Sequence, residues 1–141
     1  MTTTQMTTLT TRPLSSSTDA LLRFALRADA TITGFAGLIG AAFANPLSTL
    51  TGLSPTTEYF IGAAFVVYGL AVFYLAAVPS LRAVGIAISI ANAVCTIATL
   101  IIVLAGAPPL TGAGMAVTLA TGVYTAFFAY LQYLGVRRLR A

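Results

Sequence analysis

Long apolar runs alternate with short polar breaks along most of this chain. Four stretches, over about 28–45, 57–78, 81–105 and 111–134, are close to continuously apolar. Each approaches the roughly 20 residues that a membrane-crossing helix needs. A soluble helix would carry a charged outer face, and these runs have almost nothing to supply one. The breaks are rich in turn formers: Asn45-Pro46, the run 46–56 (PLSTLTGLSPT), Pro79-Ser80, and Gly106-Ala107-Pro108-Pro109. The pattern predicts an all-α fold, a four-helix transmembrane bundle of up-down topology. The two-residue break at Pro79-Ser80 and the short one after Gly106 imply that helices joined by them are antiparallel neighbours.

The first element is the least uniform. Its purely apolar part, ATITGFAGLIGAAFA from Ala30 onward with Ala28 at the entry point, is short for a full crossing. The helix is expected to begin earlier, capped by Ser17 or Thr18 with Asp19 in its first turn, and to enter the bilayer near Ala28. Snorkelling arginines extend it by a turn. The connection 46–56 reads as a loop lying on the membrane surface. Glu58 caps the outer start of the second span, and Thr111 caps the fourth. Residues 1–18, dominated by threonine and serine, read as a disordered cytoplasmic tail without the apolar core of a signal peptide. Residues 19–136 form the transmembrane domain, and 137–141 a basic cytoplasmic end.

The charges add an orientation. All seven basic residues are arginines. Arg12, Arg23 and Arg27 precede the first span, Arg82 opens the third, and Arg137, Arg138 and Arg140 follow the fourth. Basic residues that flank spans stay on the cytoplasmic side, so the expectation is a multi-pass protein of the bacterial plasma membrane with both termini inside. The net charge of +4 therefore reads as a topology signal, and no nucleic-acid partner is expected. With 58% hydrophobic and 7% charged residues, and a mean hydropathy of +0.95, composition agrees with a membrane protein.

Composition also removes chemistry. Histidine and lysine are absent, which excludes histidine metal sites, bis-histidine haem, a histidine base and a lysine Schiff base. Cys95 is the single cysteine, in the middle of an apolar run, and reads as a small packing residue. No catalytic residue, cofactor site or metal site is expected.

Three groups of residues stand out. Gly34, Gly37 and Gly40, with Ala41 beside them, mark the face of the first span that packs closest, because small residues let helix backbones approach in lipid. The partner is a helix of this chain or of another. Asn92 is the most polar mid-span residue, with Ser89, Thr96 and Thr99 on the same helix face. Tyr68 and Tyr124 fall near the middle of their spans, so these groups read as interhelical hydrogen bonding or as a polar pocket for a small ligand or lipid head. The third group is the cytoplasmic charge cluster of Arg23, Arg27, Asp29, Arg82, Arg137, Arg138 and Arg140. Asp29, about one turn inside the interface, is expected to pair with Arg82 or Arg138 and to lie too shallow for proton-coupled export. Tyr59, Phe60, Phe73, Tyr74, Tyr130 and Tyr133 form aromatic belts. Tyr68, Tyr74 and Arg82 recur as Tyr124, Tyr130 and Arg138 at a fixed offset, which either duplication or equal hairpin length produces.

The run Leu22-Arg23-Phe24-Ala25-Leu26-Arg27-Ala28-Asp29-Ala30, with Gly34, Gly37 and a third-span Asn92, resembles a group of small four-helix integral membrane proteins common in actinobacteria. Size and span number are also similar to the DoxX-like proteins. The resemblance implies topology and no catalytic residue. The expected function is that of a multi-pass accessory or interaction subunit, in contact with the bilayer, with anionic lipid heads at the cytoplasmic face and with a homo-oligomer or complex partner. The alternatives are an oligomeric small-solute transporter or channel subunit, and an enzyme acting on lipid heads through Asp29 and the arginines.

Overall fold

In a computed structural model of the protein, residues 18–139 are described, and they form helices and turns without a strand. The helices are α1 (Ala20–Ala42), α2 (Ala44–Thr51), α3 (Pro55–Leu75), α4 (Arg82–Ala105) and α5 (Gly112–Arg138). The tail expected over 1–18 lies outside the described residues save for Thr18, and so do Arg12 and Arg140. Three helices, α3, α4 and α5, are long and apolar enough to cross a membrane; α1 and α2, bent 93° from one another, make a fourth candidate if they count as one span.

Local chemistry explains most helix ends. Pro46 cannot continue α1, because its ring would meet the carbonyl of Ala42, four residues back, and Ala42 is where α1 stops. In the first turn of α2 the missing proline N–H is no loss, so the chain bends at Phe43 and starts again. This corrects the reading of 46–56 as a loop: most of it is helix, which ends at Gly52 in the left-handed conformation, φ 86°. Ser54 caps α3 by accepting from the Thr57 amide at 3.1 Å, with Pro55 in the first position. Thr111 caps α5 as expected, accepting from the Gly114 amide at 2.9 Å. At α1 the N-cap position is Asp19 itself, and it makes no side-chain cap bond.

Packing joins the helices as two pairs. In the first, α1 lies antiparallel to α3 with glycine against glycine. A Cβ added at Gly37 would stand 2.7 Å from the Val66 amide nitrogen, and one at Gly69 would stand 2.8 Å from Gly34 Cα. Gly40 faces Gly62 more loosely, and Ala41 also lies against Gly62. The expected small-residue face is therefore used inside this chain. In the second pair, α4 and α5 pack antiparallel, with Ser89 donating to the Ala129 carbonyl at 2.8 Å and Thr96 bonded to Thr125 at 2.8 Å. Contact between α1 and α5 joins the two pairs, whereas α3 and α4, although consecutive, hardly touch. The expectation that a tight turn makes them neighbours fails because α3 stops at Leu75, and residues 76–81 form a wider connection.

A small core of Leu22, Leu26, Ala30, Val72, Ala76, Leu81 and Val136 closes the end where the described arginines lie. Many large apolar side chains elsewhere are exposed, Leu104 by 84% and Val123 by 71%, whereas Phe128 is buried. Such surface suits contact with lipid tails, where exposed apolar groups carry no penalty.

At the opposite end, α2 is tied down on both sides. The Thr111 amide donates to the Thr51 carbonyl at 2.9 Å, and the Thr111 hydroxyl donates to the Leu50 carbonyl. Glu58, expected only to favour the α3 dipole, is buried and accepts from the Thr51 hydroxyl.

Candidate functional site

The buried centre of the molecule is a carboxylate. Asp29 lies on the face of α1 between the α3 contacts of Ala30 and the α5 contacts of Leu22, and it is fully inaccessible. Its first oxygen accepts from Thr33 at 3.1 Å and from Tyr124 at 3.0 Å. Its second oxygen accepts from Tyr68 at 2.9 Å, Asn92 at 2.8 Å and Gln132 at 2.9 Å. Helices α1, α3, α4 and α5 thus each send at least one donor to the same group. Every one of these donors is neutral, and among the described residues no arginine pairs with Asp29; the ion pair found is Arg23–Asp19 at 2.9 Å.

Amide geometry locks the arrangement. Asn92 also donates to Gln132 Oε1 at 3.1 Å, while the same Gln132 donates to Asp29 through Nε2. Only one orientation of each amide satisfies both bonds, so Asp29, Asn92 and Gln132 form a closed triangle. No buried side-chain polar atom among the described residues lacks a partner. A carboxylate in an apolar surrounding needs such compensation, because burying it unpaired is expensive.

This placement overturns the expected position of Asp29. It neither pairs with Arg82 or Arg138 nor sits among the charges at the helix ends. Its neighbour Asn92 is ten residues into α4, about 15 Å inside the Arg82 end at the helical rise per residue. The described arginines of the expected charge cluster lie together at the arginine-bearing end, and Arg140 lies outside the described residues. There Arg23 pairs with Asp19 and donates to the Ala76 carbonyl at 2.8 Å, while Arg27, Arg82, Arg137 and Arg138 are exposed.

The expected polar cluster divides in two. Tyr68, Asn92 and Tyr124 meet on Asp29. Thr96 and Thr99 instead belong to the seam between α4 and α5: Thr96 bonds Thr125, and the Thr99 hydroxyl donates to the Thr96 carbonyl at 2.7 Å and faces Gly122. Two members of the hub were not singled out from sequence. Gln132 is eight residues after Tyr124, two helical turns along the same face, and Thr33 is four after Asp29. Those spacings were the available signal.

Beside the hub lies a cavity of about 560 Å³, walled by α1, α3, α4 and α5. Tyr68, Asn92, Tyr124 and Thr33 line its end nearest the arginines, and Asp29 sits behind them. Ala36, Phe65, Cys95, Val117 and Ala120 continue the wall further along each helix toward the opposite end, and this part is mainly apolar. Exposed wall residues Ala64 of α3 and Ala91 of α4 flank the gap where these two helices stand apart. Cys95, expected to be a packing residue, is part of this wall and half-buried. No grouping of side chains able to hold a metal ion occurs among the described residues.

Comparison of the chain with protein-family models, with curated proteins and with solved structures gave no match.

Proposed function

We propose that the protein is a four-helix membrane protein that binds a small lipophilic molecule with a hydrogen-bond-donating head, taken from the bilayer into the cavity beside Asp29. The single observation that carries this reading is the pairing of an apolar chamber with a carboxylate-backed polar floor. Apolar pockets with a few converging polar groups are the usual form of small-molecule sites.

The floor has a definite polarity. The Tyr68 and Tyr124 hydroxyls each give their one proton to Asp29, leaving oxygen lone pairs as what they offer to a guest. The carboxylate behind them makes that face electronegative. An alcohol or an ammonium head finds acceptors there, and a carboxylate or phosphate head meets repulsion. The gap between α3 and α4 gives a guest a lateral way in. All four walls come from one chain, so binding needs no second copy. In this reading the arginine-bearing end faces the cytoplasm, both termini lie inside, and the membrane is the bacterial plasma membrane. In place of the oligomeric transporter or channel subunit expected from sequence, uptake or export of the bound molecule is carried out by the single chain.

The competing readings have less to rest on. The interaction-subunit reading rests on the close-packing glycine face, the lack of catalytic groups and the small extramembrane area, and the first of these packs against α3 of the same chain. The lipid-head enzyme drew on Asp29 lying among the arginines, and it does not.

Cys95 offers a native reporter. Its alkylation by N-ethylmaleimide in reconstituted vesicles, measured with decylamine, decanol, decanoate or decane present, tests the proposal. The expected result is protection by decylamine and decanol, little by decanoate or decane, and none of it in Asp29→Asn. Equal protection by all four compounds, or by none, would overturn it.

A further inference from the structure

A second groove, of about 410 Å³, lies between α4 and α5 at their arginine-bearing ends. Arg82 and Arg137 form its rim, Tyr133 stands beside Arg137, and Ile86 and Ile90 line the part that runs away from the rim. Along α4 the isoleucines follow Arg82 by one and two turns, so charge gives way to apolar surface along a single helix face. The Arg137 guanidinium lies over the Tyr133 ring, 5.8 Å from its centroid. Among the described residues neither Arg82 nor Arg137 makes an ion pair or a hydrogen bond. Ser89, also in the groove, gives its proton to the Ala129 carbonyl. Among the described residues the rim therefore offers two cations without counter-ions, above a strip that has nothing polar to offer.

We infer that this groove binds an anionic phospholipid, with the head-group phosphate between Arg82 and Arg137 and an acyl chain along Ile86 and Ile90. Charge complementarity selects the head. Guanidinium groups are suited to phosphate oxygens, and two of them favour a lipid with net negative charge over a zwitterionic one. The apolar strip selects a lipid over a free anion, since a free phosphate would occupy the rim alone and leave Ile86 and Ile90 uncovered. The groove is separate from the cavity at Asp29, shares no lining residue with it, and does not depend on what that cavity binds.

Native mass spectrometry of the full chain, released from micelles doped with dioleoyl phosphatidylglycerol or dioleoyl phosphatidylcholine, measures the retained lipid. Retention of phosphatidylglycerol is expected to exceed that of phosphatidylcholine on the order of tenfold, as two arginines attracting one anionic head imply. The preference is expected to be lost in R82Q/R137Q and reduced in R137Q alone. It is expected to persist in R138Q, which removes a charge from the same end but outside the groove. Equal retention of the two lipids by the wild-type chain would overturn the site, as would an equal loss in R138Q. Displacement of phosphatidylglycerol by millimolar inorganic phosphate would show a plain anion site and would equally overturn it.

Discussion

The Asn92 amide of α4 donates to the Asp29 carboxylate of α1 at 2.8 Å, across two helices with little other contact. Together with Tyr68 on α3 and Gln132 on α5, it makes one carboxylate the meeting point of the four long helices. Helices in lipid gain little from hiding apolar surface from one another, so such bonds and close backbone packing decide how they assemble. The hub also sets the polarity of the cavity floor, which links the stability of the fold to whatever the cavity holds.

Removal of Asp29 is expected to exceed the loss of any one donor. Asp29→Ala takes the acceptor from five donors, of which Asn92 and Gln132 are buried and Thr33, Tyr68 and Tyr124 part-buried, and each buried group left unsatisfied costs about 1–3 kcal/mol before the site relaxes. Tyr68→Phe removes the bond donated to Asp29 and a longer one accepted from Asn92 at 3.4 Å, each worth about 1 kcal/mol or less in a membrane setting. Thermal unfolding in detergent followed by circular dichroism is expected to rank Asp29→Ala well below Tyr68→Phe. Equal melting of the two variants would show that the hub is not what holds the helices.

Gly62 and Gly40 face each other across the α1–α3 seam but differ in tolerance. A Cβ at Gly62 would stand 2.7 Å from the Gly37 carbonyl oxygen, whereas one at Gly40 would rest 3.5 Å from Gly62 Cα. Backbone cannot yield as a flexible side chain does. Gly62→Ala is expected to destabilise by about 1–3 kcal/mol, the range for overpacking, and Gly40→Ala by less than about 0.5 kcal/mol. Unfolding in a sodium dodecyl sulfate titration compares them directly, and the order of the two midpoints decides.

Filling the cavity is expected to separate binding from folding. Ala120 lies on the chamber wall and is exposed, so its environment can accept a larger side chain. Ala120→Phe is expected to keep the wild-type melting temperature within the few degrees that a surface change produces. It is also expected to abolish the protection of Cys95 by decanol. Full protection with an unchanged melt would place the guest elsewhere.

Much of the architecture was legible in the chain. Apolar runs of spanning length gave the helices, Thr111 gave a cap, and Pro46 marked where α1 ends. The short helix α2 was hidden because Pro46 reads as a breaker in sequence, although proline is harmless in a first helical turn. The wider α3–α4 connection was hidden because nothing in the apolar run through Val78 announces that α3 stops at Leu75. Tyr68, Asn92 and Tyr124 were visible as mid-span polar groups, but their focus was not. Asp29 follows two arginines in sequence, and linear proximity placed it at the boundary with them. On the helix, however, Asp29 and Arg27 are two residues apart and project about 160° away from each other. One turns into the interior while the other stays exposed.

By itself the sequence determined the composition of the helices, the gathering of the described arginines at one end of them, and the absence of histidine and lysine, because these follow from residue type and local periodicity. Tertiary structure alone decided that Asp29 draws donors from α3, α4 and α5. It alone decided that the glycine face is spent on α3, and that α3 and α4 part to leave a chamber. Those outcomes depend on how helices distant in sequence rotate against one another. Helix rotation is set by the sum of many side-chain contacts, and no single stretch of the chain contains that sum.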